Sequence, residues 1–124
     1  MQLQESGEMY LEAILVLSQR GKPVRSIDVG EYLGYTKPSV SRAMSLLRTG
    51  GYVTMDKDSY LSLTEAGREV AERIYERHQV LSRLFITLGV SEETATEDAC
   101  RIEHVISQET FDAIKRHAAA YDTN

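Results

Sequence analysis

The sequence predicts a mainly α-helical protein: an N-terminal winged helix-turn-helix over residues 1–64, then an all-helical unit over residues 65–124. Three observations predict it. Two short apolar-periodic segments meet at a tight turn, Gly34-Tyr35-Thr36, and the second opens on small polar and basic residues. Two short β-prone runs, Tyr52–Met55 and Tyr60–Leu63, flank the turn formers Asp56–Ser59 and read as a hairpin. After Thr64 the apolar residues recur at helical spacing.

Bulk properties narrow the class. A chain of 124 residues holds one domain or two small ones sharing a core. With 42% hydrophobic and 27% charged residues it has the make-up of a soluble globular protein. No run approaches the roughly 18 apolar residues of a membrane span, so no membrane association is expected. The N-terminus has acids before its apolar stretch and no basic leader, unlike a signal peptide. One cysteine forms no internal disulfide, which fits a reducing cytoplasm and leaves the thiol for other chemistry. A net charge of −5 argues against nonspecific nucleic-acid binding. Yet Arg20–Arg48 holds six basic and two acidic residues, whereas the stretch from Glu65 onward holds seven basic and twelve acidic ones. A basic segment on an acidic chain is the pattern of a single DNA-facing surface.

In order, Glu5–Gln19 reads as a first helix, with Met9, Tyr10, Leu11, Ile14, Leu15 and Leu17 on a broad apolar stripe and Gly21 and Pro23 ending it. Met9 and Glu12 share one of its faces. Ser26 is expected to cap a second helix that stops at Gly34. Thr36 caps a third, with Pro38 tolerated in its first turn. There Val40, Ala43, Met44, Leu46 and Leu47 are expected inward, and Ser39, Ser41, Arg42, Ser45 and Arg48 outward. The hairpin follows as a wing. Thr64 caps a long helix from Glu65 to about Leu88 that carries His78 midway, and Gly89 ends it. Ser91 caps the next helix, expected to run to about Ser107, and a last helix spans about Gln108–Ala120.

The stretch Asp98–Ser107, DACRIEHVIS, carries the chemistry. Cys100, Glu103 and His104 stand at i, i+3 and i+4, so on a helix they leave one face. A thiolate, a carboxylate and an imidazole together make half of a transition-metal site. Each also has an ordinary reading: a buried Cys, and a Glu and a His on a solvated face.

EMYLEAI, KPSVSRAM, LTEAGREVA, RHQVLSRLF and DACRIEHVIS stand in an order and spacing that resembles the diphtheria toxin repressor family of metal-dependent regulators, over essentially the whole chain. The resemblance implies a primary metal site at Met9, Cys100, Glu103 and His104, with Fe²⁺ as activating ion. It implies that His78 serves a second metal position and that Glu12 matches a metal-binding Glu of manganese-type members. Those members carry carboxylates in place of Met9 and Cys100. The sulfur donors therefore favour Fe²⁺, Co²⁺, Ni²⁺ or Zn²⁺ over Mn²⁺. The iron-type second site has a Glu and a His where this chain has Ser82 and Thr96, so that site is expected to be either incomplete or rebuilt, with Glu12 or Glu97 as the candidates. The chain resembles the short, two-domain members that lack an SH3-like domain.

The expected mechanism is metal-selected DNA binding by a homodimer on a pseudo-palindromic operator. Ligands from both units are expected to fix the angle between them, and the empty site is expected to be looser. In helix 3, Ser39 and Ser41 let the helix sit deep in the major groove. Pro38 touches thymine methyls and Arg42 reads guanine or binds phosphate. Arg25, Lys37 and Arg48 are expected to hold phosphates, the ordinary reading of each being a solvated helix residue, and Lys57 at the wing tip is a further candidate on a wing that Asp56 and Asp58 make a poor anchor. Ile106 and Phe111 are candidates for the dimer interface. Two rivals stand beside this: a winged-helix regulator sensing an organic ligand or redox state through Cys100, and a small metalloenzyme. Against the latter, no general base or substrate-positioning loop is evident.

Overall fold

The computed structural model describes residues 3–122. Helices α1 (Glu5–Ser18), α2 (Ser26–Leu33) and α3 (Lys37–Thr49) precede strands β1 (Val53–Met55) and β2 (Leu61–Leu63). Helices α4 (Glu65–Thr87), α5 (Glu92–Ile102) and α6 (Gln108–Asp122) follow. The mainly helical class with an N-terminal winged helix-turn-helix is thus the observed one. The chain packs as two compact units that part within α4, the first up to Glu72 and the second from Arg73.

In the first unit, α1 buries Tyr10, Leu11, Ala13, Ile14 and Leu15, with Val29 of α2 and Val40, Met44 and Leu47 of α3. Gly34 closes α2 in the left-handed region at φ 76°, where its N–H reaches the Gly30 carbonyl. That turn lets α3 start three residues later, and the Thr36 hydroxyl accepts the Ser39 N–H. The N-cap of α2 is Arg25 rather than Ser26, because the Asp28 carboxylate reaches back to accept the Arg25 N–H at 2.8 Å. Leu46 also departs from expectation: it is 68% exposed. The buried stripe of α3 runs through Val40, Met44 and Leu47, and Leu46 falls one step past its edge.

The wing is an antiparallel pair with Val53 opposite Leu63, Thr54 opposite Ser62 and Met55 opposite Leu61. One Asp56 carboxylate oxygen closes its tip by accepting the N–H groups of Asp58 and Tyr60, each at 2.9 Å. The Leu61 N–H donates to the Val24 carbonyl at 2.7 Å, tying the wing to the segment before α2. Thr64 joins the wing to α4. Its hydroxyl donates to the Gly51 carbonyl at 2.6 Å and accepts the Gly67 N–H at 3.1 Å.

In the second unit the buried apolar residues are Ile74 and Leu81 of α4, Ala95 and Ala99 of α5, and Phe111 of α6. The Ser91 hydroxyl accepts the Thr94 N–H at the start of α5. Helix α5 ends at Ile102, earlier than expected, with Glu103 as its C-cap. The N–H groups of Val105 and Ile106 both turn back to the Ile102 carbonyl, and the Ser107 hydroxyl then caps α6 through the Thr110 N–H. Phe111 is 1% exposed and belongs to the core of its own unit, so it offers no dimer surface, whereas Ile106 is half-buried.

Candidate metal centre and nucleic-acid face

In the second unit α4 supplies His78, α5 supplies Cys100, and the turn after α5 supplies Glu103 and His104. Donor atoms of His78, Cys100 and Glu103 all lie within 4.8 Å of one another. His78 Nδ1 is 2.9 Å from Glu103 Oε2 and 3.7 Å from Cys100 Sγ. The other carboxylate oxygen, Glu103 Oε1, is 3.4 Å from His104 Nε2. Glu103 therefore stands between both imidazoles, one per oxygen. Its side chain is 1% exposed, that of His104 is 1%, and that of His78 is 23%. Cys100 is exposed.

The predicted i, i+3, i+4 face is altered in form. Cys100 lies on the helix, Glu103 caps it, and His104 lies in the turn beyond. The grouping survives because Glu103 keeps α-region backbone angles (φ −57°, ψ −26°) and its N–H still bonds the Ala99 carbonyl.

Electrostatics favour the charged imidazole at His78. Its pKa is pushed up to about 10 by hydrogen bonding to Cys100 and then to Glu103, against the opposing effect of burial. The shorter of the two contacts is the one to Glu103. The donor set fits a divalent transition ion. Ligand bonds of about 2.0–2.3 Å leave neighbouring donors some 3–4 Å apart, close to the observed spacings. A thiolate, an imidazole and a buried carboxylate are the donor types such ions take. Within the described residues of the first unit, Met9 and Glu12 are half-buried on α1, and the Tyr35 hydroxyl approaches Met9 Sδ at 3.9 Å. Ser82 and Thr96 line a cavity of about 340 Å³ beside His78.

The residues expected to face DNA, Arg25, Lys37, Pro38, Ser39, Ser41, Arg42 and Arg48, are all exposed. The Arg25 guanidinium lies 4.3 Å from the centroid of the Tyr60 ring, which steadies it beside the wing. Lys57 is exposed at the wing tip between Asp56 and Asp58. Leu46, expected inward, is also exposed, and Ser39, Arg42 and Leu46 stand at i, i+3 and i+7, the spacing of side chains that share one side of a helix. No helix among the described residues is long and apolar enough to cross a membrane.

Comparison with known proteins places both units. Residues 2–61 match the iron dependent repressor N-terminal DNA binding domain, and residues 64–124 match the iron dependent repressor metal binding and dimerisation domain. The transcriptional regulator MntR of Escherichia coli O157:H7 is 35% identical over 106 residues, 86% of this chain and 68% of that protein. The iron-dependent repressor IdeR of Mycobacterium tuberculosis is 32% identical over 109 residues, 87% of this chain and 47% of that protein. The chain thus spans about half the length of IdeR. A manganese-dependent transcriptional repressor in complex with manganese shares the fold, with a TM-score of 0.84 at 22% identity over 91% of this chain and 52% of that one.

Proposed function

Because this chain belongs to the diphtheria toxin repressor family of metal-dependent regulators, we propose that it is a cytoplasmic, homodimeric, Fe²⁺-activated repressor of metal-homeostasis genes. The observation that carries the metal reading is the gathering of His78, Cys100 and Glu103 donors within 4.8 Å in the second unit. His104 extends that set through Glu103. Met9 and Glu12 are proposed as further donors on their chemistry and on the resemblance. The functional boundary is proposed at Thr64, where the wing gives way to α4.

When bound, a divalent ion supplies a fixed positive charge among these donors. The chain does the rest. Cys100 would hold the ion as a thiolate and His78 as a neutral imidazole, each after giving up a proton, and buried Glu103 holds both imidazoles in orientation. Iron is preferred over manganese on ligand softness, because Cys100 and Met9 offer sulfur where manganese-type members offer carboxylates. The exposed face of α3 supplies DNA recognition, with Ser39, Ser41 and Pro38 at base edges and Arg42 on guanine or phosphate. Arg25, Lys37 and Arg48 bind phosphates. A homodimer presents two such faces to a two-fold-related operator. The function needs no turnover, and the relatives named above are regulators rather than enzymes.

The test is DNA binding by chelator-stripped protein, titrated anaerobically with Fe²⁺ and Mn²⁺ in parallel. The duplex is selected from a random library with loaded wild type. Iron is expected to activate wild type at the lower concentration, and Met9→Asp is expected to shift the preference toward Mn²⁺. Activation of wild type by Mn²⁺ at equal or lower concentration makes the chain a manganese-dependent repressor. Equal DNA affinity with and without either ion overturns metal regulation altogether.

A further inference from the structure

Among the described residues the buried charged side chains are Arg77, 7% exposed, and Glu103, 1% exposed. Both belong to the second unit, and a buried guanidinium is costly unless its donors are used. Arg77 Nη1 donates to the backbone carbonyls of Glu103 at 3.1 Å and Ile106 at 2.8 Å. Its Nη2 donates to the side-chain oxygen of Gln108 at 3.0 Å. The guanidinium carbon lies 5.5 Å from the centroid of the Phe111 ring, whose face favours a cation.

These acceptors bracket one turn. Glu103 caps α5, Ile106 lies midway, and Gln108 is the first residue of α6. Carbonyls at the end of a helix lack intrahelical donors and carry partial negative charge, which a cation there offsets. A guanidinium reaches three acceptors at once through its fixed fork, whereas an ammonium does not reproduce that geometry. The neighbouring residue on α4 is His78, bonded to the Glu103 carboxylate. Two consecutive residues of α4 thus grip Glu103 from both ends, Arg77 by its main-chain oxygen and His78 by its side chain.

We propose that Arg77 is a positioning residue of the metal centre, fixing the backbone of the turn that presents Glu103 and His104 and tying that turn to the first residue of α6. The inference rests on the metal reading given above. Its bonds to Glu103 and Ile106 are to main-chain oxygens, so it acts on the cluster through the backbone of the turn. Outer-shell partners of this kind are worth about 10- to 100-fold in metal affinity.

The experiment is anaerobic Co²⁺ titration of the chelator-stripped full chain, followed by absorbance. The thiolate-to-cobalt charge-transfer band reports Cys100, and the visible d–d bands report coordination number and geometry. Arg77→Met and Arg77→Lys are expected to melt cooperatively, keep the thiolate band, change the d–d bands and bind Co²⁺ about 10- to 100-fold more weakly. If Arg77→Met does not fold, Gln108→Leu removes the Nη2 contact at an exposed position, together with the bond from Gln108 Nε2 to Asp112 Oδ1 within α6, and a severalfold weakening is expected there. A folded Arg77 or Gln108 variant with wild-type affinity and spectrum overturns the positioning role alone. Wild type that shows no thiolate band with Co²⁺ overturns the metal centre, and this inference with it.

Discussion

His78 sets the pH behaviour of the second unit. Cys100 and Glu103 raise its pKa from the usual value near 6.5 to about 10, so folding favours the charged ring. In chelator-treated protein the stability that this charge contributes is fully present below about pH 6.5 and is lost as pH rises through about 10. Urea midpoints measured from pH 6 to pH 10 are expected to fall for wild type and to be flatter for His78→Gln. The same proton must leave before a metal binds the ring nitrogen. Calorimetry in two buffers of different ionisation enthalpy, at neutral pH, is expected to show about one more proton released by wild type than by His78→Gln. Glu103→Gln leaves His78 and His104 without their carboxylate. Since the His78 side chain is 23% exposed, the cost is expected at the low end of the about 3–5 kcal/mol typical of broken buried pairs, read from denaturant midpoints at neutral pH.

At the scale of elements, the junction of wing and α4 leaves no room for a side chain at Gly67. A Cβ on Gly67 would run into the carbonyl oxygen of Tyr52, a backbone atom that cannot step aside alone. Gly67→Ala is therefore expected to cost about 1–3 kcal/mol, measured by urea unfolding, despite the helix preference for alanine. Much of this element plan was legible beforehand. Thr36 and Pro38 announce the start of α3, Gly34 its preceding turn, and Asp56–Ser59 the wing tip, because each signal acts within a few residues. The end of α5 was not legible. The sequence from Cys100 to Ser107 keeps a helical look, and what stops the helix includes long-range bonds from Arg77 to the Glu103 and Ile106 carbonyls. His78 shows the same limit at the site. It lies 25 residues from Glu103, so no spacing rule joins the two, and only the family resemblance brought it into the ligand set.

On the scale of the whole molecule, an acidic protein presents one basic stretch to an anionic partner. Arg48→Ala is expected to weaken binding of loaded protein evenly across DNA sequences and to reduce the slope of log affinity against log salt by about 1. Arg42→Ala is expected instead to relax preference at one position of the selected duplex, measured by competition between single-base variants. Leu46 adds something that neither arginine supplies. It is 68% exposed beside Ser39 and Arg42, on the face proposed to enter the groove. An apolar side chain that loses its water on association leaves a negative heat-capacity change and an attraction that dissolved ions do not screen. On that proposed docking of α3 the grip on DNA is expected to be partly oily as well as ionic, the oily part holding where rising salt has released the rest.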